Sequence, residues 1–308
     1  MTKEIFEILD RRFLSCINKS ARLEKLWEGG AWVEGPVYFP ASKSLLWSDI
    51  PHDRIMRWDE ITGGVGVFRG GLGHYTNGNC VDNEGRLISC EHGTRTVTRT
   101  NHDGSITCLA AHYQGKKFNS PNDVVLKSDK SIWFTDPGYG IDSLYEGFPS
   151  DREIGGDNVY RIDPSTGQVS MVANDFVRPN GLAFSLDERK LYIADSGAKE
   201  FNGVFEGPRH IRAFEVKDNG TLSGGGILIE CNAGVFDGIR LDEKGNIWAS
   251  TAEGIHCYAP DGILLGKILL PERASNLCFG GAKRNRLFIT ATASIYSLLL
   301  PIAGPKIF

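Results

Sequence analysis

Six polar residues in this chain recur in one setting, and together they could hold a cation. Each stands directly ahead of a short apolar strand, a turn rich in Gly, Asp or Lys, and a second apolar strand. The copies read EGPVYFPASKSLLWSD from Glu34, NGNCVDNEGRLISCE from Asn77, NDVVLKSDKSIWFTD from Asn122, NGLAFSLDERKLYIAD from Asn180, DGIRLDEKGNIWAST from Asp237 and NLCFGGAKRNRLFITA from Asn276. If the copies are equivalent, two carboxylates and four amides meet around one axis. These are hard oxygen donors without a thiolate, a set that suits calcium, magnesium or manganese better than a structural zinc. Glu34, Asn180 and Asp237 are the expected ligands, with Asn122 nearby. Carboxylates brought close together cannot both ionise cheaply, and a divalent cation removes that cost. The same ion would polarise a carbonyl and lower the pKa of a bound water, which is the chemistry of ester hydrolysis near neutral pH. Asn-Gly and Asp-Gly are also common turn dipeptides. Turn chemistry does not explain a polar residue at the head of every copy, or Glu34 in the same place.

The elements that must position this ring follow from the repeat. Its steps are 43, 45, 58, 57 and 39 residues, the length of a four-stranded blade with insertions in the third and fourth. The expected fold is all-β, a six-bladed β-propeller forming a single domain over 1–308. The second strands (LLWSD, LISCE, IWFTD, LYIAD, IWAST, LFITA) are rich in apolar residues, several of them β-branched or aromatic. VYRIDPSTGQVSMV and IHCYAPDGILLGKI carry turn sequences that specify outer hairpins. Residues 1–22 read as an N-terminal extension. Within it, the spacing of Ile5, Phe6, Leu9, Phe13 and Ile17 predicts a helix over Lys3–Asn18 that caps one face. The stretch from Leu23 to Trp27 is expected to complete the blade built by SIYSLLLP.

Composition excludes several functions. The 37 glycines favour turns over long helices, and a net charge of -4 with no Lys/Arg-rich run argues against nucleic acid. The charged N-terminal segment has no apolar signal core and no stretch approaches a membrane span, so a soluble, cytoplasmic protein with no membrane partner is expected. Seven cysteines never fall in a C-x-x-C spacing and read as reduced thiols rather than a zinc cluster. The glycine clusters at Gly63-Gly64, Gly70-Gly71 and Gly224-Gly226 read as loops, since none opens a helix after a strand. Asp195-Ser196-Gly197 lacks the G-x-S-x-G elbow of a serine hydrolase.

W-V-E-G-P, S-P-N-D-V-V, W-F-T-D-P-G-Y-G, R-P-N-G-L-A-F, A-D-S-G, D-G-I-R-L-D and N-L-C-F-G-G resemble the gluconolactonase, senescence-marker-protein and luciferin-regenerating-enzyme family over nearly the whole chain. C-E-H-G-x-R from Cys90 and D-P-x-Y-G from Asp136 are similar to its longer bacterial branch. The resemblance implies hydrolysis of a sugar lactone. It also implies one divalent metal on Glu34, Asn180 and Asp237, with Asn122 as ligand or through substrate and water. Calcium is the expected ion, with magnesium, manganese, zinc or iron(II) as alternatives. By the same resemblance Asp237 activates water as a base or attacks directly, and Glu34 mainly holds the metal. Animal members carry an arginine two residues before the position of Asn122, where this chain has Ser120, so sugar specificity does not transfer. Asn77, His92, Tyr139 and Asn276, near expected strand ends, are the alternative substrate contacts. Two other activities fit the pattern less well: organophosphate or fluorophosphate hydrolysis on the same propeller, and a non-catalytic binding propeller. A strictosidine-synthase-like reaction would not need both carboxylates.

Overall fold

The computed structural model of the chain describes residues 5–306. Six antiparallel sheets follow one another along the sequence, five of four strands and one of five. The innermost strands of blades one to six are Val33–Phe39, Thr76–Val81, Val124–Leu126, Pro179–Phe184, Ile239–Leu241 and Ala274–Gly280. Each begins within two residues of one ring residue, so the repeat in the sequence is the repeat of the propeller. The chain is therefore all-β, with a single α-helical turn at Tyr139–Asp142 among the described residues. None of its described helices is long and apolar enough to cross a membrane. The insertions expected in blades three and four are the segment 137–156, which carries that turn, and a hairpin of Lys199–Phe201 with Val204–Glu206.

Closure uses both ends of the chain. Glu24–Glu28 pairs antiparallel with Ser294–Leu299 and supplies the outer strand of blade six, as the expectation for Leu23 to Trp27 has it. The helix predicted over Lys3–Asn18 does not form among the described residues; Lys3 and Glu4 lie outside them. Instead, Phe6–Ile8 is a strand on the outer edge of blade five, Phe6 opposite Ile268, and Arg11–Ser15 is one 3-10 turn capped by the Asp10 carboxylate. The exposed edge of blade five offers this segment ladder hydrogen bonds that a short isolated helix, marginal in water, would forgo. Three of the apolar residues behind the helical expectation are still buried, Phe6, Phe13 and Ile17 packing with Trp248, Leu265 and Ile268, while Leu9 is exposed. Gly266 makes room for this, because a Cβ there would stand 2.2 Å from the Phe13 ring.

A second expectation also fails. Gly224 to Gly226 lie within the strand Leu222–Glu230, where Gly225 is the extra residue of a β-bulge between the partners of Ala213 and Phe214. Cys16, Cys257 and the Asp242 carboxylate lie within 4.8 Å of one another. Asp242 is committed to its own turn, accepting from the Lys244 and Asn246 backbones, the Asn246 amide and the Trp248 indole.

Candidate active site

The ring closes because adjacent inner strands touch. The Gly78 amide donates to the Asn122 carbonyl at 2.7 Å, and the Gly181 amide to the Asp237 carbonyl at 3.0 Å. The Asn-Gly and Asp-Gly pairs are thus not hairpin turns but the points where one blade's backbone lies on the next. In four blades the pairing register skips beside the ring residue: between Glu34 and Val37, Thr76 and Asn79, Pro179 and Leu182, and Ala274 and Asn276. Such bulges re-aim side chains next to functional sites.

A buried carboxylate at the end of the second strand fixes the approach to the ring in several blades. Asp49 accepts from the Ala31 amide at 3.0 Å, three residues before Glu34. Asp136 accepts from Asn119 at 2.9 Å, three before Asn122, and Asp195 from Val177 and Arg178, just before Asn180. In blade two Glu91 instead takes the His74 imidazole at 2.6 Å and the Arg69 guanidinium.

The resulting cleft, of about 120 Å³, brings together Glu34, Asn77, Asn122, Asn180, Asp237 and Tyr139. Trp32, Glu146, Val235 and Arg273 complete it, and none of these four was expected from the sequence. Trp32 and Val235 stand two residues before Glu34 and Asp237, and Arg273 three before Asn276, so the repeat itself marks this outer tier. Glu146 belongs to the blade-three insertion, which has no counterpart elsewhere in the chain and hence no register to place it.

Two expected contacts lie behind the cleft wall. Asn276 donates from Nδ2 to Glu34 Oε2 at 3.0 Å, while its Oδ1 accepts from the Leu277 amide. Both its polar groups are therefore spent on holding Glu34. His92 is buried, with Nε2 3.2 Å from the Asn77 amide nitrogen and Nδ1 3.1 Å from the Glu146 carbonyl. A neutral ring protonated on Nδ1 satisfies both contacts and leaves Asn77 Oδ1 for the cleft. Ser120 is consumed too: its hydroxyl donates to the Pro137 carbonyl and accepts from Gly140, pinning the loop that carries Tyr139.

Electrostatically the cleft is acidic. Burial pushes the Glu34 carboxyl well above the usual range, and Asp237 beside it pushes the same way. Asp237 is also raised by burial, against the pull of Arg273 and Asn180. Burial and Asp237 raise Glu146 to about 7, with Arg178 opposing. Glu34 Oε2 takes the Gly35 amide at 2.8 Å as well as Asn276. Neither Glu34 nor Asp237 has an ion-pair partner among the described residues. Two carboxylates without an ion-pair partner, Glu34 buried and Asp237 half-buried, gathered with the side-chain amides of Asn77, Asn122 and Asn180, fit a hard divalent cation.

Desolvation lowers His92 to about 4. Between pH 6.5 and 4 the unfolded chain binds a proton at this residue that the folded chain refuses, so stability rises with pH through that window. A shift of this size corresponds to about 3 kcal/mol lost on acidification from above pH 6.5 to 4. Urea unfolding across that range should show the slope in the parent protein and a flatter one in His92→Gln; parallel curves would remove His92 as the cause.

The opposite mouth of the channel differs. It opens into a larger cavity of about 610 Å³ lined mainly by apolar side chains such as Val37, Val124, Phe184, Leu241 and Phe279. The two cavities share no lining residue, and between them the Arg240 guanidinium meets the buried Asp123 carboxylate at 3.2 Å.

The SMP-30/Gluconolactonase/LRE-like family model matches residues 32–293. A gluconolactonase of Zymomonas mobilis is 31% identical, the match covering 92% of this chain and 83% of the relative. The solved gluconolactonase of Xanthomonas campestris is 37% identical, covering 96% of this chain and 94% of that one at a TM-score of 0.88. A calcium-binding regucalcin from Agrobacterium tumefaciens shares the fold at 18% identity, covering 92% and 97% of the two chains at a TM-score of 0.74. With the ring of blade-head residues in place and the family pattern running from Trp32 to Ala293, the chain belongs to the SMP-30/gluconolactonase/LRE-like family.

Proposed function

We propose that the cleft opens a sugar lactone to its sugar acid with one divalent ion, calcium first, held by Glu34, Asn180 and Asp237 with Asn122 beside them. The chain is a lactonase of the gluconolactonase type, in keeping with its full-length relatives. The observation that carries the metal is the pair of cleft carboxylates, Glu34 and Asp237, neither in an ion pair among the described residues, set among side-chain amides that can offer oxygen. When bound, such an ion supplies a Lewis acid for the carbonyl oxygen and an acidified water.

The protein side divides the work. Glu34 is held rigid by the Gly35 amide and Asn276, which suits a ligand and leaves little freedom to move a proton. Asp237, half-buried and open to the cleft, takes the proton of the attacking water and returns it to the ring oxygen as the C–O bond breaks. Asn77 Oδ1, the Tyr139 hydroxyl and Glu146 are placed to meet sugar hydroxyls. His92 and Asn276 act through Asn77 and Glu34.

The test is proton release from a panel of aldonolactones by chelated protein and by protein reloaded with calcium, magnesium, manganese, zinc or iron(II). Turnover should disappear on chelation and return on reloading. The melting temperature should fall and recover in step, because an ion that binds only the folded state stabilises it. Undiminished hydrolysis by metal-free protein would remove the metal, and metal binding without turnover of any lactone would remove the lactone.

A further inference from the structure

Arg273 is the only cation lining the cleft, and among the described residues its side chain has neither a hydrogen bond nor an ion pair. Its backbone is fixed, since the carbonyl accepts from the Thr292 amide at 3.0 Å. Its guanidinium is held over the Trp32 indole, 5.8 Å from the ring centroid, and is exposed. Asp237 feels its charge across the cleft but makes no ion pair with it, and the other acids nearby are engaged elsewhere. Glu272, next in sequence, accepts from the Ala293 amide and the Ser294 and Tyr296 hydroxyls. Asp142 is taken by Arg178, whose guanidinium in turn lies over the Tyr139 ring. The cation that acts on Glu146 is Arg178, not Arg273.

A guanidinium near an indole and without an ion pair is a planar fork with its donors free, able to take a carboxylate, sulfonate or phosphate by two parallel bonds. On the reading above, neutral sugar hydroxyls would be met by Asn77, Asn122, Tyr139 and Glu146, which line the same cleft. We infer that Arg273 is the specificity-determining residue of this lactonase, and that it recognises an oxyanion on the part of the lactone remote from the carbonyl. The preferred substrates are then acidic lactones rather than neutral ones. The inference rests on the lactonase reading above.

Metal-loaded protein is assayed at constant ionic strength with neutral gluconolactone, the monolactone of an aldaric acid, and a terminally phosphorylated gluconolactone. A charge-assisted bidentate contact should favour an acidic lactone by about 10- to 100-fold in kcat/KM, expressed mainly in KM. Whichever acid group shows the larger preference identifies the oxyanion. Arg273→Ala should bring the ratio close to one without moving the melting temperature, and Arg273→Lys should restore only part of it, since it keeps the charge and loses the fork. A parent protein that prefers the neutral lactone, or an Arg273→Ala variant that slows all three substrates equally, would overturn the assignment. Absence of turnover with every lactone would instead overturn the lactonase reading. Calorimetric binding of the aldarate itself to parent and Arg273→Ala protein then still decides the role of Arg273: a 10-fold or larger loss supports it, and equal affinity ends it.

Discussion

Asp237→Asn should lower kcat on a turned-over lactone by about three orders of magnitude, the scale set by losing a positioned general base, while the protein remains folded. Asparagine keeps an oxygen that can face a cation and removes the ability to take a proton. The prediction therefore separates the base from the ligand, which alanine would not. It depends on the contrast between the two cleft carboxylates. Glu34 is clamped at Oε2 by the Gly35 amide and by Asn276, whereas Asp237 is half-buried and opens on the cleft. Steady-state rates with saturating metal, read beside the melting temperature of the metal-loaded variant, give the answer. Full activity in Asp237→Asn would leave the proton to another group, and Glu146, the remaining acid in the cleft, would be next.

The second large effect is on the scaffold. Gly181→Ala should destabilise the protein by at least about 3 kcal/mol, the upper range for overpacking. A Cβ at this position would lie 2.2 Å from the Asp237 carbonyl oxygen, 2.8 Å from the Gly238 Cα and 2.9 Å from the Ile239 amide nitrogen. All three are backbone atoms of the neighbouring blade, so no rotamer change relieves the clash. Separation of blades four and five would also pull Asn180 away from Asp237, so metal affinity should fall together with the urea midpoint. Gly66→Ala is the control: a Cβ there meets nothing within 4 Å, and its effect should stay within about 0.5 kcal/mol. Equal stability of the two variants would mean that the blades can slide apart without cost.

The ring was legible because it repeats. A polar residue at the head of each copy, six times over, is a signal that a single Asn-Gly would not give, and five of those six residues line the cleft. What the strand pattern did not disclose was how tightly the ring is built. The buried acids Asp49, Asp136 and Asp195 looked like strand-end residues, yet each grips backbone just ahead of a ring residue. Asn276 had the right place in the repeat, but neighbouring groups use both ends of its amide. The N-terminal helix failed because apolar spacing alone does not register an open sheet edge nearby, and the edge of blade five competes for that backbone. Glu146 sits on an insertion and could be placed only by the folded chain.

The Asp123–Arg240 pair across the channel waist has a bearing on traffic. A propeller drawn as a tube suggests that molecules enter at one end and leave at the other. Here the ring cleft and the opposite cavity share no lining residue, so on the proposed function a lactone would reach the ring, and its sugar acid would leave, through the same doorway. Turnover at such a site would be a queue at one entrance, in which accumulating product obstructs the next arrival.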